Sequence, residues 1–284
     1  RSSDLVHYDL EAENYDNGHP EIMEGDYKWY ANKLKEIGQR ANSSKLNVLD
    51  FGCGTGFVSQ ILIENNFPYQ KLVCLDLSQE MLNFARTKLN GAKNLQFVNN
   101  LDEIKGQAFD LITINSVLHH FPDPEKLIHM LESYLKKGGQ IIGGHEPNID
   151  FTYNPLARFA AGIYKKVGGE VDFPETLVGT FNARIGENCS GFPHVDREEI
   201  QQIVDWHSPI EQKRDGVAKG VGLKGRNFLQ NNLDSCEIES YEEYTTFFER
   251  PILIKFPLIQ KLLQALYVVF FPGNLFRYVV TKKD

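Results

Sequence analysis

The sequence has no C-x-x-C pair, no surplus of positive charge, no internal repeat and no low-complexity tract. Its four cysteines, Cys53, Cys74, Cys189 and Cys236, are widely spaced. Cys53 and Cys74 read as reduced, small apolar residues, and a reducing, cytoplasmic setting is expected. The formal net charge of −8 argues against broad nucleic-acid binding, which needs a basic face, although a local basic groove stays open. No apolar signal core stands near Arg1. The longest apolar stretch, Ile252 to Phe271, is interrupted by Lys255, Pro257, Gln260, Lys261 and Gln264, which makes it a poor membrane span. With 284 residues, 42% of them hydrophobic, the chain has enough apolar material for one α/β core with insertions.

The stretch from Leu46 to Gly56 organises the rest. Leu46, Val48, Leu49 and Phe51 form a short apolar run of the kind a buried parallel strand needs, with Asp50 at its end. Gly52, Gly54 and Gly56 follow at alternate positions, and Phe57 to Asn65 then has the apolar spacing of a helix. Strand, glycine turn and helix make the first βα unit of a nucleotide-binding α/β fold. The glycines let the backbone turn sharply and meet a ligand with no Cβ between them, and the free N–H groups of the helix start face that ligand. A dinucleotide fingerprint, G-x-G-x-x-G/A, would place its third small residue at position 57, where this chain has Phe57. That disfavours a nicotinamide dinucleotide.

The segment Asp50-Phe51-Gly52-Cys53-Gly54-Thr55-Gly56 resembles motif I of the class I S-adenosylmethionine-dependent methyltransferases. Later segments extend the resemblance. Asp76 stands twenty residues beyond Gly56, where nucleotide-binding α/β folds place the acid that grips ribose hydroxyls. Asp76-Leu77-Ser78-Gln79-Glu80-Met81-Leu82 is similar to the family's D-x-S-x-x-M-L, with Ser78 as the helix N-cap. Val117-Leu118-His119-His120-Phe121, after a strand at Phe109 to Ile114, resembles the branch acting in ubiquinone and menaquinone biosynthesis. The resemblance implies a Rossmann-like seven-stranded sheet, six strands parallel and one antiparallel, with helices on both faces and a cap insertion. It also implies methyl transfer from S-adenosyl-L-methionine, leaving S-adenosyl-L-homocysteine.

Carried over residue by residue, the resemblance implies cofactor contacts at Asp50, Gly52, Cys53, Gly54, Gly56, Asp76, Leu77, Asn100, Leu101 and Asn115. Asp50 would attract the ammonium, directly or through water, and Asp76 would accept from the ribose. Leu77 would pack on the adenine, Leu101 would offer its N–H to the ring, and Asn115 would approach the methionyl part. Asn100 stands where the family commonly has an acid, and its amide oxygen can accept the same hydrogen bond. His119, His120, His145 and Glu146 all follow strand ends on the ligand edge of the sheet, and a histidine there can serve as general base. The plainer alternative for each is a hydrogen bond within its own turn or a solvated loop. No metal ligand set is expected.

Residues 1–45 read as an N-terminal lid segment, with a helix from Pro20 to about Gln39 and with Tyr8 and Tyr15 as candidate lining. Residues 46–147 form the core and 148–194 a substrate cap, with Arg158, Arg184 and His194 as its polar candidates. Residues 195–284 complete the core: a helix at Val195 to Val204, strands at Cys236 to Phe248 and Arg277 to Lys282, and a helical insertion at 251–272. Lys136, Lys137 and Gly138 are expected to close the helix at Glu125 to Leu135. In the insertion, Gln260, Lys261 and Gln264 leave one narrow polar strip, so most of the helix must be covered. The cap of the same chain, a second copy or a lipid surface could cover it, the last disfavoured by the acidity of the whole chain. A small, apolar or aromatic acceptor methylated on oxygen is expected, with carbon or nitrogen open. A protein methyltransferase and a non-catalytic cofactor-binding subunit are the alternatives.

Overall fold

The computed structural model describes residues 12, 15–18, 25–41, 44–121, 123–168, 223–246 and 256–283. Tyr8, Arg184, His194, the helix expected at Val195 to Val204 and most of the cap lie outside the described residues. The described elements run α1 (Tyr27–Arg40), β1 (Leu46–Phe51), α2 (Phe57–Glu64), β2 (Tyr69–Leu75), α3 (Gln79–Lys88) and β3 (Leu95–Val98). They continue with β4 (Phe109–Asn115), α4 (Pro124–Tyr134), β5 (Leu135–Pro147), α5 (Pro155–Gly168), α6 (Gly225–Asn232), β6 (Cys236–Tyr244), α7 (Pro257–Phe270) and β7 (Leu275–Lys282).

The seven strands form one sheet in the order β3-β2-β1-β4-β5-β7-β6. The pairs β1–β2, β1–β4, β2–β3 and β4–β5 are parallel, and β7 is antiparallel to both neighbours. Successive residues of a strand face opposite sides, so the two faces hold separate cores. Leu49, Phe51, Ile112, Ile114 and Ile141 pack with Leu127, Ile128 and Leu131 of α4 and Phe228 and Leu229 of α6. Val48, Leu72, Leu111 and Ile142 pack with Tyr30, Leu34 and Ile37 of α1 and Val58, Ile61 and Leu62 of α2. Burial on both faces is why the central strands are nearly continuous apolar runs.

Two glycines near the end of β5 set the spacing of these layers. Gly143 pairs with Tyr278 of β7, and a Cβ on Gly143 would lie 2.3 Å from Tyr278 Cζ. On the other face, a Cβ on Gly144 would lie 3.1 Å from the Tyr30 hydroxyl. Two buried tyrosines thus press against bare backbone from opposite sides.

The helix ends follow the chemistry of their caps, with one correction. Ser78 accepts from the Met81 N–H at 3.1 Å and opens α3 as expected. Asp123 accepts from the Lys126 N–H at the start of α4, where Pro124 supplies a preset φ. Lys136, Lys137 and Gly138 do not close α4. The helix ends at Tyr134, because Leu135 is already extended and pairs with Phe109. The cation at that helix end is Lys282 of β7, whose Nζ donates to the carbonyls of Glu132 and Leu135 at 2.7 and 2.9 Å. Lys136 turns to Asp110 instead, at 2.7 Å.

Glu132 ties α4 to the start of β6 by accepting from the N–H groups of Asp234 and Ser235. Burial alone would push its carboxyl up, but the donors around it, from Asp234, Cys236 and Ser235, hold it below the ordinary glutamate range. His129, Glu132 and Asp234 bring possible metal-ligand atoms within 4.8 Å of one another. Because Glu132 is committed to those donors, the trio acts as a clamp between elements.

Replacing Gly143 with Ala should force Tyr278 or the β5–β7 pairing to shift, since a ring carbon cannot yield as a flexible chain end can. We expect a loss of about 1–3 kcal/mol, read as a lower urea midpoint with an unchanged slope. An unchanged midpoint would show that the sheet absorbs the methyl group freely.

Candidate functional site

The chain leaves β1 toward β2 and β3 on one side, then crosses back to β4 and β5 on the other. The crevice at that switch point, beyond the carboxyl ends of the strands, is where an open α/β sheet accepts a ligand. The described residues that stand at or just beyond the carboxyl ends of β1, β2, β3, β4 and β5 lie along this edge.

Gly52, Gly54 and Gly56 have φ of 66°, 52° and 87°, all in the left-handed region. At Gly52 the need is also spatial, since a Cβ would lie 2.5 Å from Val117 Cγ2. At Gly54 a Cβ would meet nothing within 4 Å, so that turn of backbone borders open space. Asp76 braces the loop: one carboxylate oxygen accepts from the Gly54 N–H at 2.8 Å and the other from the Ser78 N–H at 2.9 Å. Leu77, beside it, is 57% exposed although apolar. The side chain of Cys53 is buried, and burial raises its thiol pKa well above the ordinary value.

Asp50 is buried and lies beneath the loop. Its oxygens accept from Ser59 Oγ at 2.6 Å, the Ser59 N–H at 3.1 Å and Thr113 Oγ1 at 2.7 Å. It thereby supplies the start of α2 with the side-chain acceptor that Gly56, the helix N-cap, cannot provide. Burial pushes the Asp50 carboxyl up, and the bonds from Ser59 and Thr113 offset this only in part. Asn100 caps the turn at Leu101–Ile104 by accepting from the Asp102 N–H at 2.9 Å. Leu101 packs against the core, and Asn115 Oδ1 accepts from the buried Tyr30 hydroxyl at 3.1 Å.

Beyond β4 and β5 the backbone is strained at two non-glycine positions, Ser116 with φ 57° and His145 with φ 56°. They adjoin, since the Ser116 N–H donates to the Gly144 carbonyl. The β5–β7 register slips between Gly143 and Glu146: Gly143 faces Tyr278, while Glu146 faces Phe276. One extra residue on β5 makes this a bulge. It turns Glu146 onto the same face as Gly143, toward the loop after β4.

Glu146 is fully buried there. It accepts from the N–H groups of Val117 and Leu118 at 2.9 Å and of His119 at 3.2 Å, and meets His119 Nδ1 at 2.8 Å. The carboxylate is an anchor for the turn Leu118–His120, placed behind the histidines. The rings of His119 and His120 lie 3.9 Å apart, centroid to centroid.

His145 has a matching partner. Its Nδ1 lies 2.8 Å from Oδ2 of Asp26, a fully buried acid that precedes α1. The guanidinium of Arg277 stands 3.5 Å from the other Asp26 oxygen and over the rings of Tyr244 and Trp29. Arg277 also donates twice to Glu242. The edge therefore carries two imidazoles, His119 and His145, each held at Nδ1 by a buried carboxylate. Such a carboxylate favours the tautomer with hydrogen on Nδ1, which leaves Nε2 able to accept a proton. Sequence reasoning missed Asp26 and Arg277. The chain offers no local signal for their meeting, because Asp26 lies more than a hundred residues from both His145 and Arg277.

From the N-terminal segment, the turn at Tyr15–Gly18 reaches the glycine loop. Asp16 accepts from Thr55 Oγ1 at 2.6 Å and pairs with Lys88, which also donates to Thr55. Arg158 is exposed on α5.

The methyltransferase-domain family matches residues 49–141, the span from the end of β1 into β5. Malonyl-[acyl-carrier protein] O-methyltransferase 1 of Ilyobacter polytropus is 33% identical over 46% of this chain and 47% of its own length. Ubiquinone biosynthesis O-methyltransferase of Coxiella burnetii is 29% identical over 52% of this chain and 60% of its own. The chain thus spans about half the length of the curated relatives it matches. An S-adenosylmethionine-dependent methyltransferase from Mesorhizobium loti shares the fold, with a TM-score of 0.51 and 19% identity over 92% of this chain and 100% of that one. Sequence match, sheet order and glycine loop agree: residues 49–141 are a methyltransferase domain, on the sheet of the class I S-adenosylmethionine-dependent methyltransferase fold.

Proposed function

We propose that this protein transfers the methyl group of S-adenosylmethionine to oxygen on a small, apolar or aromatic acceptor. The observation that carries the proposal is the glycine loop at the β1/β4 switch point, left-handed at all three glycines and braced by Asp76. The residues present fit the cofactor. Gly54 borders open space, Leu77 offers an exposed apolar surface for a purine, and Asp76 stands beside it to accept ribose hydroxyls. Asp50 places negative charge under the loop for an ammonium, and no pyrophosphate cradle is required.

When bound, S-adenosylmethionine supplies an electrophilic methyl carbon on a sulfonium. The protein's part is to hold the acceptor in line with that carbon, where most of the rate advantage of such a transfer arises. A hydroxyl acceptor must also lose a proton, and Nε2 of His145 or His119 receives it. Asp26 and Glu146 act through those histidines as positioning residues. Oxygen is favoured as the acceptor atom because two relatives, from Ilyobacter polytropus and Coxiella burnetii, are O-methyltransferases by name.

Calorimetry should show micromolar binding of S-adenosylmethionine, about −8 kcal/mol, and none of NAD. Asp76→Ala should weaken that binding at least tenfold, roughly 1.4 kcal/mol, and unchanged affinity would remove Asp76 from the ribose site.

Asp50→Asn separates charge from scaffold. The folded carboxyl titrates above its unfolded value of about 3.9, so its contribution to stability is present below that pH. It is lost as pH rises through the folded pKa. Above the folded pKa the ionised group works against folding, and there the amide should leave the melting temperature unchanged or higher. Cofactor affinity should still fall about tenfold or more, since the charge is gone. A lower melting point with intact affinity would make Asp50 purely structural.

His145→Asn keeps a side chain that tolerates the left-handed backbone while removing the imidazole. Loss of a general base typically costs about a hundredfold or more in turnover. We expect that loss in His145→Asn or in His119→Gln, with cofactor affinity held. Full turnover in both would mean that transfer proceeds here without a histidine base.

A further inference from the structure

Two helices border the site edge: α5 follows the end of β5, and α7 leads into β7. They pack on each other through Tyr267, which is buried among Phe151, Ala160, Leu263 and Phe271. The opposite side of α7 is apolar as well, and exposed among the described residues. Leu258, Ile259, Leu262, Leu266, Val269 and Phe270 recur at helical spacing and are each at least half exposed, from 50% at Leu266 to 83% at Leu258. Leu156 and Phe159 on α5 are 67% and 71% exposed. Among the described residues nothing covers this side of α7, and most of the cap expected to cover it lies outside the described residues. Contiguous apolar surface of this kind marks an interaction site.

The charge on these helices selects the partner. α5 contains Arg158, Lys165 and Lys166, α7 contains Lys261, and neither contains Asp or Glu, in a chain whose net charge is −8. A second copy would set the net positive charge of these helices against itself, because a two-fold interface brings like patches together. An anionic surface would neutralise it. No helix among the described residues is long and apolar enough to cross a membrane, and α7, with 14 residues, is about 21 Å long. Such a helix lies in the headgroup region with its apolar side down and its cations among the phosphates.

We propose that the exposed face of α5 and α7 docks on the surface of an anionic lipid bilayer. Docking there brings the carboxyl edge of the sheet, with its glycine loop and histidine–carboxylate pairs, to the membrane. An apolar acceptor dissolved in lipid could then reach the site without crossing water. The docking itself does not depend on methyl transfer and is read without cofactor or acceptor.

The test is flotation of the full chain with vesicles of phosphatidylcholine alone and of phosphatidylcholine with phosphatidylglycerol. The wild type should float with the anionic vesicles, at least tenfold more tightly than with the neutral ones, and added salt should weaken this. Leu262→Glu with Leu266→Glu should abolish flotation, at least tenfold, and leave the melting temperature unchanged. Phe159→Glu alone should weaken it in the same direction. A wild type that stays with neither vesicle overturns the proposal whatever the variants do. A wild-type dimer that the double variant splits, with no vesicle binding, would assign the face to a second copy. Loss of folding in the double variant, with no wild-type flotation, would assign it to burial by the rest of the chain.

Discussion

The carboxylate of Glu146 is the contact on which the site depends. It is fully buried and accepts from three consecutive backbone N–H groups of the loop after β4, and from His119. A buried N–H without a partner costs roughly 1–3 kcal/mol, so this one side chain keeps several such penalties from arising together. It can do so only because β5 carries a bulge at His145, which turns residue 146 to the loop side of the sheet. The strained φ of His145 and Ser116 and the orientation of the two histidines are parts of one arrangement, in which strain at a functional edge is offset by bonds made nearby.

Much of the fold was legible in the sequence because its signals are local. An apolar run followed by Gly52, Gly54 and Gly56 reads as strand and turn, and all three glycines do take left-handed φ. Ser78 is a cap that its neighbours decide, and it caps. Where the deciding partner is distant, local signals mislead. Lys136, Lys137 and Gly138 have the composition of a helix terminus, but pairing of Leu135 with Phe109 draws that residue into the sheet first. The helix end is then served by Lys282, nearly 150 residues away. The place of Glu146 at a strand end, on the carboxyl edge of the sheet, was legible. Its work as a hidden anchor was not, because a one-residue bulge leaves no mark in the pattern.

The same distinction explains Asp26 and α7. Asp26 sits before an amphipathic helix, where an acid is an ordinary helix start. Only the fold brings His145 and Arg277 to it from positions 145 and 277. For α7 the sequence correctly shows a helix that is apolar nearly all round, and such a pattern ordinarily implies burial. Among the described residues one side is left exposed. Exposure is a property of what surrounds a helix, and its own sequence does not encode that.

Among the buried acids of this edge, Asp50 differs in the company it keeps. Asp26 has the guanidinium of Arg277 beside it, and Glu146 gathers three N–H groups and an imidazole. Asp50 has two hydroxyls and one N–H, all neutral, and its carboxyl is accordingly pushed up. A buried acid in neutral surroundings gains more from an approaching cation than one already paired, since the low local dielectric that penalises the lone charge also strengthens the new attraction. The deficit at Asp50 is therefore a source of affinity held in reserve. Under the proposed function the ligand's ammonium would satisfy it, and the empty protein would carry the cost of an incompletely compensated charge until the ligand arrives.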